Sequence, residues 1–422
     1  HRLPHLLFAL ISIYSVYKLT KYLSDKTTAK LAAAMLATAQ AFILSITDAR
    51  METPLSAAII FSIWQLIVYI DKRKLINILL AAFGTAIAFS TKGWLGPVLI
   101  FLSGFFYIVL NKKWNLFASL KTWSFIPLFA LFISPVLYAY YLQFDLHPEK
   151  IIRGEGGRSG IRFILWDQLF ERASGFDVKK RHSGYFFLYH TFLWSFFPWS
   201  VFAYVALVFW LRRMFYLRKW KSKFHFATLT FGFILFAISF SQFKMPHYTV
   251  MLLPLAALFT APYVRLIMPT TKATRFFYPL QVSFVGLILL LTVLLNFYFF
   301  QPHNVFIWIA GITLLLLLLG YLFGKRDSRP VRIIYLSVGP ALVANFFLNY
   351  NVFPNLTKFQ AGQELVKLVK KNNLEIPKEK LILLDHHAHS FDFYMGRNHK
   401  KLEGPLFARA YPHVKDCYFL VS

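Results

Sequence analysis

The sequence predicts an all-α polytopic membrane protein, and three observations carry that prediction. The 422 residues are 57% hydrophobic and only 15% charged, with a mean hydropathy of +0.52; soluble globular domains are less apolar. Apolar runs approaching the roughly 20 residues a helix needs to cross a hydrocarbon core recur along the chain, separated by Lys, Arg, Pro and Gly. The basic residues concentrate in alternate loops. The net charge of +28 is therefore a topology signal and excludes a nucleic-acid-binding module, which would gather its cations on one face of a soluble domain.

The first run, residues 3–20, follows His1 with no initiator Met, basic n-region or small-residue cleavage site. It reads as a span and not a signal peptide, and the chain is expected to lack its natural beginning. Further apolar segments follow at 31–47, 54–70, 76–91, 93–110, 122–142, 185–210, 226–241, 247–266, 279–300, 303–324 and 332–350. The loops at 21–30, 71–74, 111–121, 212–223, 265–275 and 325–332 are basic, whereas the alternate short loops hold only Arg50, Lys92 and Lys244. The Lys/Arg bias assigns the first set to the cytoplasm and the second to the outer face. The long loop 143–184 and the tail 351–422 then fall outside as well. The expected organisation is a transmembrane domain over 1–350 and a small periplasmic α/β domain over 351–422. In the latter, a polar helical stretch precedes the strand-like "KLILLD" and "CYFLV", the last of which predicts an incomplete C-terminus. The single cysteine, Cys417, excludes an intrachain disulfide.

Polar residues on the outer face stand out in "TDARMETP" (47–54), "STKGW" (90–94) and "SQFKMPH" (241–247). An ionisable group at the membrane boundary is costly unless it is hydrated, paired or serving a ligand. Lys244 lies between two spans, with Pro246 interrupting the backbone bonding. It reads either as a snorkelling cation at a helix end or as a cation presented to a phosphate. Arg50 and Glu52 read as an ion pair near a helix start. In the long loop, Ile161, Ile164, Leu165 and Leu169 have helical spacing and predict an amphipathic surface helix over 161–173. The preceding "RGEGGRSG" suits a mobile loop or a backbone nest for phosphate and lacks the signature of a nucleotide P-loop. His386, His387 and His389 match no zinc-ligand spacing, so a small α/β domain is the expected reading there.

Five stretches in order carry a family resemblance. "HRLPHLLFALISIYSVYKLTKYL" is followed by "AAAMLATAQAFILSITDARMETPL", with Glu52 where Asp is commoner. "STKGWLGPVLI" keeps Lys92 and Gly93, "GYFFLYHTFLWSFFPW" has an aromatic entry and a Pro-Trp close, and "SQFKMPHYTVMLLPLAAL" carries a Lys-x-Pro-x-Tyr signature. Together they resemble the bacterial members of the protein O-mannosyltransferase superfamily, including the aminoarabinose transferases that modify lipid A. These are integral-membrane glycosyltransferases of the GT-C class.

The resemblance implies a GT-C-like bundle in the bacterial inner membrane with its active face periplasmic. It implies transfer of a hexose or pentose from a polyprenyl-phosphate sugar to a lipid, glycan or protein acceptor by one inverting displacement. Lys244, Lys92, Arg158 and Arg162 are then the candidates for holding the donor phosphate. Tyr248, His247, Glu52, Arg50 and His182 are candidates for lining the cavity. The acidic residue the family carries in its first outer loop precedes this chain's first residue, so no catalytic base is assigned. No cofactor is assigned either; a divalent metal near His182, as in some relatives, is the one candidate. A transporter of lipid-linked substrate and a non-catalytic membrane scaffold are the alternative readings; the first predicts broken midplane helices and an internal hydropathy repeat.

Overall fold

The computed structural model describes residues 2–150, 156–168, 184–218, 223–241, 244–267, 271–302, 304–324, 329–356, 359, 361–373, 381–384, 389–396, 400–402 and 418–420. The chain forms two compact units, His1–Ile288 with Leu315–Val343 and Leu289–Leu314 with Ala344–Ser422.

The first unit opens with α1 (Leu3–Leu23), which carries proline in its first turn, where the missing N–H costs nothing. The next helix, α2 (Lys26–Ala37), starts at Asp25, whose carboxylate accepts from the Thr27 and Thr28 amides at 2.8 and 3.0 Å. The chain then breaks at Thr38–Ala39 and bends by 55° into α3 (Gln40–Thr47). The Trp199 indole donates to Thr38 Oγ1 at 2.9 Å within this break. An antiparallel trio follows: α4 (Glu52–Lys72), α5 (Leu75–Lys92) and α6 (Leu95–Asn111). Short α7 (Leu120–Trp123) leads into α8 (Phe125–Tyr140), helices Phe187–Ser195, Ser200–Phe215, His225–Ser239 and Leu253–Ile267 follow, and helix Thr271–Leu294 up to Ile288 and helix Arg329–Phe347 up to Val343 also belong to this unit. Spans α4 and Pro246–Ile267 are each 78% buried, which puts them at its centre.

Lipid is as apolar as these side chains, so helix association rests on close packing and interhelical hydrogen bonds. Gly84 of α5 lies so near Ser62 of α4 that a β-carbon would collide with the serine hydroxyl. Thr249 donates to Ser195 Oγ at 2.8 Å, and the Phe192, Phe231 and Phe259 rings pack with centroids 5.0 and 5.2 Å apart.

Among the described residues, seven helices are long and apolar enough to cross a membrane, or eight if α2 and α3 make one bent span. The sequence suggests twelve apolar segments. The difference lies partly in shorter apolar helices, α6, His225–Ser239 and Val305–Leu317. It lies also at 185–210, which is split between Phe187–Ser195 and Ser200–Phe215. Pro198 supplies no N–H to continue the first of these helices. The expected helix over 161–173 begins with Gly160–Arg162, continues as a π-helical turn over Phe163–Asp167, and leaves the described residues after 168.

In the second unit, π-helical turns at Leu295–Phe299 and Leu348–Val352 are joined by Asn351, which donates to Asn296 Oδ1 at 2.7 Å. An amphipathic helix, Ala361–Lys371, buries Val366 and Val369 and packs on helix His389–Met395, where Phe391 is buried. Three short strands, β1 (Leu381–Leu384), β2 (Lys400–Leu402) and β3 (Tyr418–Leu420), pair in parallel in the order β2-β1-β3. Ile382 stands opposite both Lys400 and Phe419. His386 and His387 lie outside the described residues.

Candidate functional site

Antiparallel helices of 21 and 18 residues, joined by Arg73 and Lys74 alone, bring the end of α5 back to the level of the start of α4. The consequence is a contact between Lys92, in the last turn of α5, and Glu52, the first residue of α4. Lys92 Nζ lies 2.6 Å from Glu52 Oε1, and both side chains are buried. Each charge also has the favourable sign for its helix terminus, the carboxylate at an N-terminus and the ammonium at a C-terminus.

The segment around Pro246 joins them. Pro246 starts a 3-10 helix, Pro246–Leu252, that packs against α4 and presents two side chains to the pair. His247 Nε2 lies 3.4 Å from Glu52 Oε1, and Lys92 Nζ sits over the Tyr248 ring, 4.6 Å from its centroid. The other imidazole nitrogen, Nδ1, is 3.5 Å from Arg50 Nη1. Residues from the three sparsely charged short loops thus converge on one buried carboxylate, which lies against two cationic or titratable side chains.

The expected Arg50–Glu52 ion pair is not formed. Ala49 adopts a left-handed conformation, φ 51°, which turns Arg50 toward Asp48; the guanidinium donates to its carboxylate at 2.9 Å. That pair is solvent-exposed, whereas Glu52 turns inward to α5.

Lys244 has different neighbours. Its ammonium donates to the Gly184 carbonyl at 3.2 Å and lies 5.3 Å from the Tyr185 ring centroid. The residue is 8% exposed, and this burial pushes its pKa below the ordinary lysine value.

The loop segment 156–168 packs beside the α5–α6 turn. Trp94 donates to the Leu165 carbonyl at 2.6 Å, and Gly93, at φ 63°, faces the Gln168 carboxamide with no room for a β-carbon. Ser159 and the Gly160 amide bind Asp145, which ties this segment to the end of the preceding span. Arg158 is half-buried, and Arg162 is exposed, with Nε 3.4 Å from Asp167 Oδ1. His182 lies outside the described residues. Asp48, Trp94, Asp145, Gln168 and Tyr185 were not singled out by the sequence, because each acquires its role from a contact partner that local spacing does not reveal.

Among the described residues, no three His, Cys, Asp or Glu side chains gather as a metal site. The Glu52–His247 pair itself does not fit a divalent ion, since Lys92 and Arg50 place cationic nitrogens against both members.

With this geometry in view, comparison with known proteins is informative. Residues 1–139 match the family model of dolichyl-phosphate-mannose-protein mannosyltransferases. An uncharacterized protein of Aquifex aeolicus is 25% identical over 426 residues, covering 99% of this chain and 76% of its own length. Among solved structures, ArnT from Cupriavidus metallidurans bound to undecaprenyl phosphate superposes with a TM-score of 0.70 at 13% identity, covering 99% of this chain and 74% of that one. The apo oligosaccharyltransferase of Archaeoglobus fulgidus gives a TM-score of 0.52 at 10% identity, over 95% of this chain and 53% of that one. At these identities the structural likeness speaks for the fold.

Proposed function

We propose, from the match of residues 1–139 to the mannosyltransferase family model and the fold shared with ArnT, that the chain is a GT-C-type transferase that moves a sugar from a polyprenyl-phosphate donor to an acceptor at the membrane surface. The observation that carries this reading is the convergence of Lys92, Glu52, His247 and Tyr248 from three separate outer loops at one end of the bundle. A site of this kind suits an anionic group delivered from the bilayer.

In the proposed reaction an acceptor hydroxyl attacks the anomeric carbon, and the bond from that carbon to the phosphate oxygen breaks. The electron pair leaves with polyprenyl phosphate, the acceptor's proton passes to a base, and the anomeric configuration inverts. The transferred group is a hexose or pentose, and the acceptor is a lipid such as lipid A, a glycan or a protein. Lys92 and Lys244 neutralise the phosphate as charge develops on it, with Arg158 and Arg162 in support. Glu52 is the internal counterion that holds Lys92 until the phosphate competes for it, and Arg50, His247 and Tyr248 line the cavity. The protein is placed in a bacterial inner membrane with this site on the periplasmic face. Residues 351–422, with their short parallel sheet, are read as a small periplasmic α/β domain, and 1–350 as the transmembrane domain.

The test is sugar transfer in proteoliposomes containing extracted polyprenyl-phosphate sugars and a panel of acceptors. Release of polyprenyl phosphate coupled to acceptor glycosylation, lost in folded Lys92→Ala and Lys244→Ala variants, is the expected result. Full activity in both variants removes the lysines from the mechanism. Absence of transfer by intact protein with every donor transfers the weight to a transporter or scaffold.

A further inference from the structure

The end of the bundle opposite Glu52 carries a second constellation. Helix α4 is 21 residues long, so its far end lies about 30 Å from Glu52. There α4 is capped by Arg73 and α6 by Lys112, both left-handed, at φ 55° and 54°. Glycine is the ordinary occupant of such a position. A helix dipole accounts for a cation at one helix end; it does not account for the aromatic shelf beside these two.

That shelf is the segment between α6 and α8. Trp114, Phe117 and Trp123 are exposed, and their rings follow one another at centroid distances of 6.4 and 6.3 Å. The Trp123 indole donates to the Phe117 carbonyl at 2.9 Å. The segment is anchored: Leu116 is buried, Thr122 hydrogen-bonds the Leu116 carbonyl at 2.7 Å, and Tyr69 of α4 reaches Thr122 at 3.0 Å. Arg73 donates to Asn115 at 3.0 Å, so the α4–α5 turn and the shelf are held together.

The charge at this end is unbalanced. Asp71 accepts from the Tyr22 and Tyr107 hydroxyls at 3.0 and 2.8 Å and lies 3.9 Å from Lys113. Among the described residues, Lys74, Lys112 and Lys121 have no acidic partner, and all three are exposed. Exposed indoles beside fixed cations match the two halves of a phospholipid at the interface, the carbonyl and glycerol region and the phosphate.

We propose that this shelf is a binding site for the headgroup of an anionic glycerophospholipid, with the tryptophans at the acyl–headgroup boundary and Arg73, Lys112 and Lys121 around the phosphate. It is independent of the sugar-transfer reading, since it uses none of the residues near Glu52.

The experiment is native mass spectrometry of the full chain from micelles doped with equal phosphatidylglycerol and phosphatidylcholine. Phosphatidylglycerol is expected to be retained preferentially. The Lys112→Gln/Lys121→Gln variant, altered only at exposed side chains, is expected to lower that retention on the order of tenfold. Lys26→Gln/Lys30→Gln, in the first two turns of α2, should leave it unchanged, and Trp114→Ala should weaken retention of the anionic lipid. Equal retention of the two lipids by the unmodified chain overturns the site. So does an equal loss in the α2 pair, which reduces the effect to general positive charge. Displacement of the lipid by excess inorganic phosphate reassigns the shelf to a free anion and likewise overturns the proposal.

Discussion

Lys92 Nζ and Glu52 Oε1 meet at 2.6 Å although 40 positions separate them in the chain, and neither side chain is more than 6% exposed. A buried pair of this kind adds little net stability over an apolar pair of the same shape, but removing one member strands the other.

Glu52→Gln and Lys92→Met are therefore each expected to destabilise the folded bundle by about 3 kcal/mol, whereas the double variant recovers most of that loss. Unfolding in detergent, read as a double-mutant cycle, checks this. Strictly additive losses would show that the two charges are not coupled.

Gly93→Ala meets two obstacles, a backbone at φ 63° and the Gln168 carboxamide in the space its β-carbon needs. That backbone, at φ 63° and ψ −147°, lies in a region essentially reserved for glycine and alone costs about 1–3 kcal/mol. Adding Gln168→Ala should relieve the collision and leave that backbone cost. Thermal unfolding of the single and double variants separates the two, and full recovery in the double variant would rule out backbone strain.

Asp25 governs the start of α2 in a pH-dependent way. Its carboxyl is lowered to about 2, chiefly by the Thr28 hydroxyl and then by the Thr28 amide. A depressed folded-state value means stability present above the unfolded carboxyl value, about 3.9, and lost as the pH falls through about 2. Asp25→Ala should cost about 1 kcal/mol at neutral pH, with screening at this exposed position favouring the lower end. The difference from the unmodified chain should vanish as the pH is lowered to that value. A difference independent of pH would sink the carboxylate's role.

Lys244 provides a reactivity prediction. Burial lowers its pKa, so its neutral amine is populated at lower pH than that of an ordinary lysine. The pH profile of modification by a small amine reagent, read by peptide mapping, should be displaced downward for Lys244. Coincident profiles would contradict the burial seen around Gly184 and Tyr185.

Much of the architecture is legible along the chain because a membrane imposes local rules. Hydrocarbon thickness sets the length of an apolar run, and charge asymmetry marks alternate loops. By the same rules the three sparse polar clusters around Arg50, Lys92 and Lys244 could be found before any contact was known. The breaks were less visible. The interruption between α2 and α3 depends on the Trp199 indole reaching Thr38 across 161 positions, and the split at 185–210 becomes two helices only around Pro198. That Arg162 has Asp167 as a neighbour, with its Nε 3.4 Å from the carboxylate, was likewise not visible in the sequence.

The sequence by itself determined that this is a polytopic helical membrane protein with rare charges in three short segments between its basic loops, since apolar length and charge alternation are properties of consecutive residues. Only the tertiary structure decided that Glu52 belongs to Lys92 and His247 while Arg50 turns to Asp48. Partner choice among buried charges depends on which helix ends return to the same level, and on which carboxylate the bundle shields from water. Neither is encoded in any local spacing.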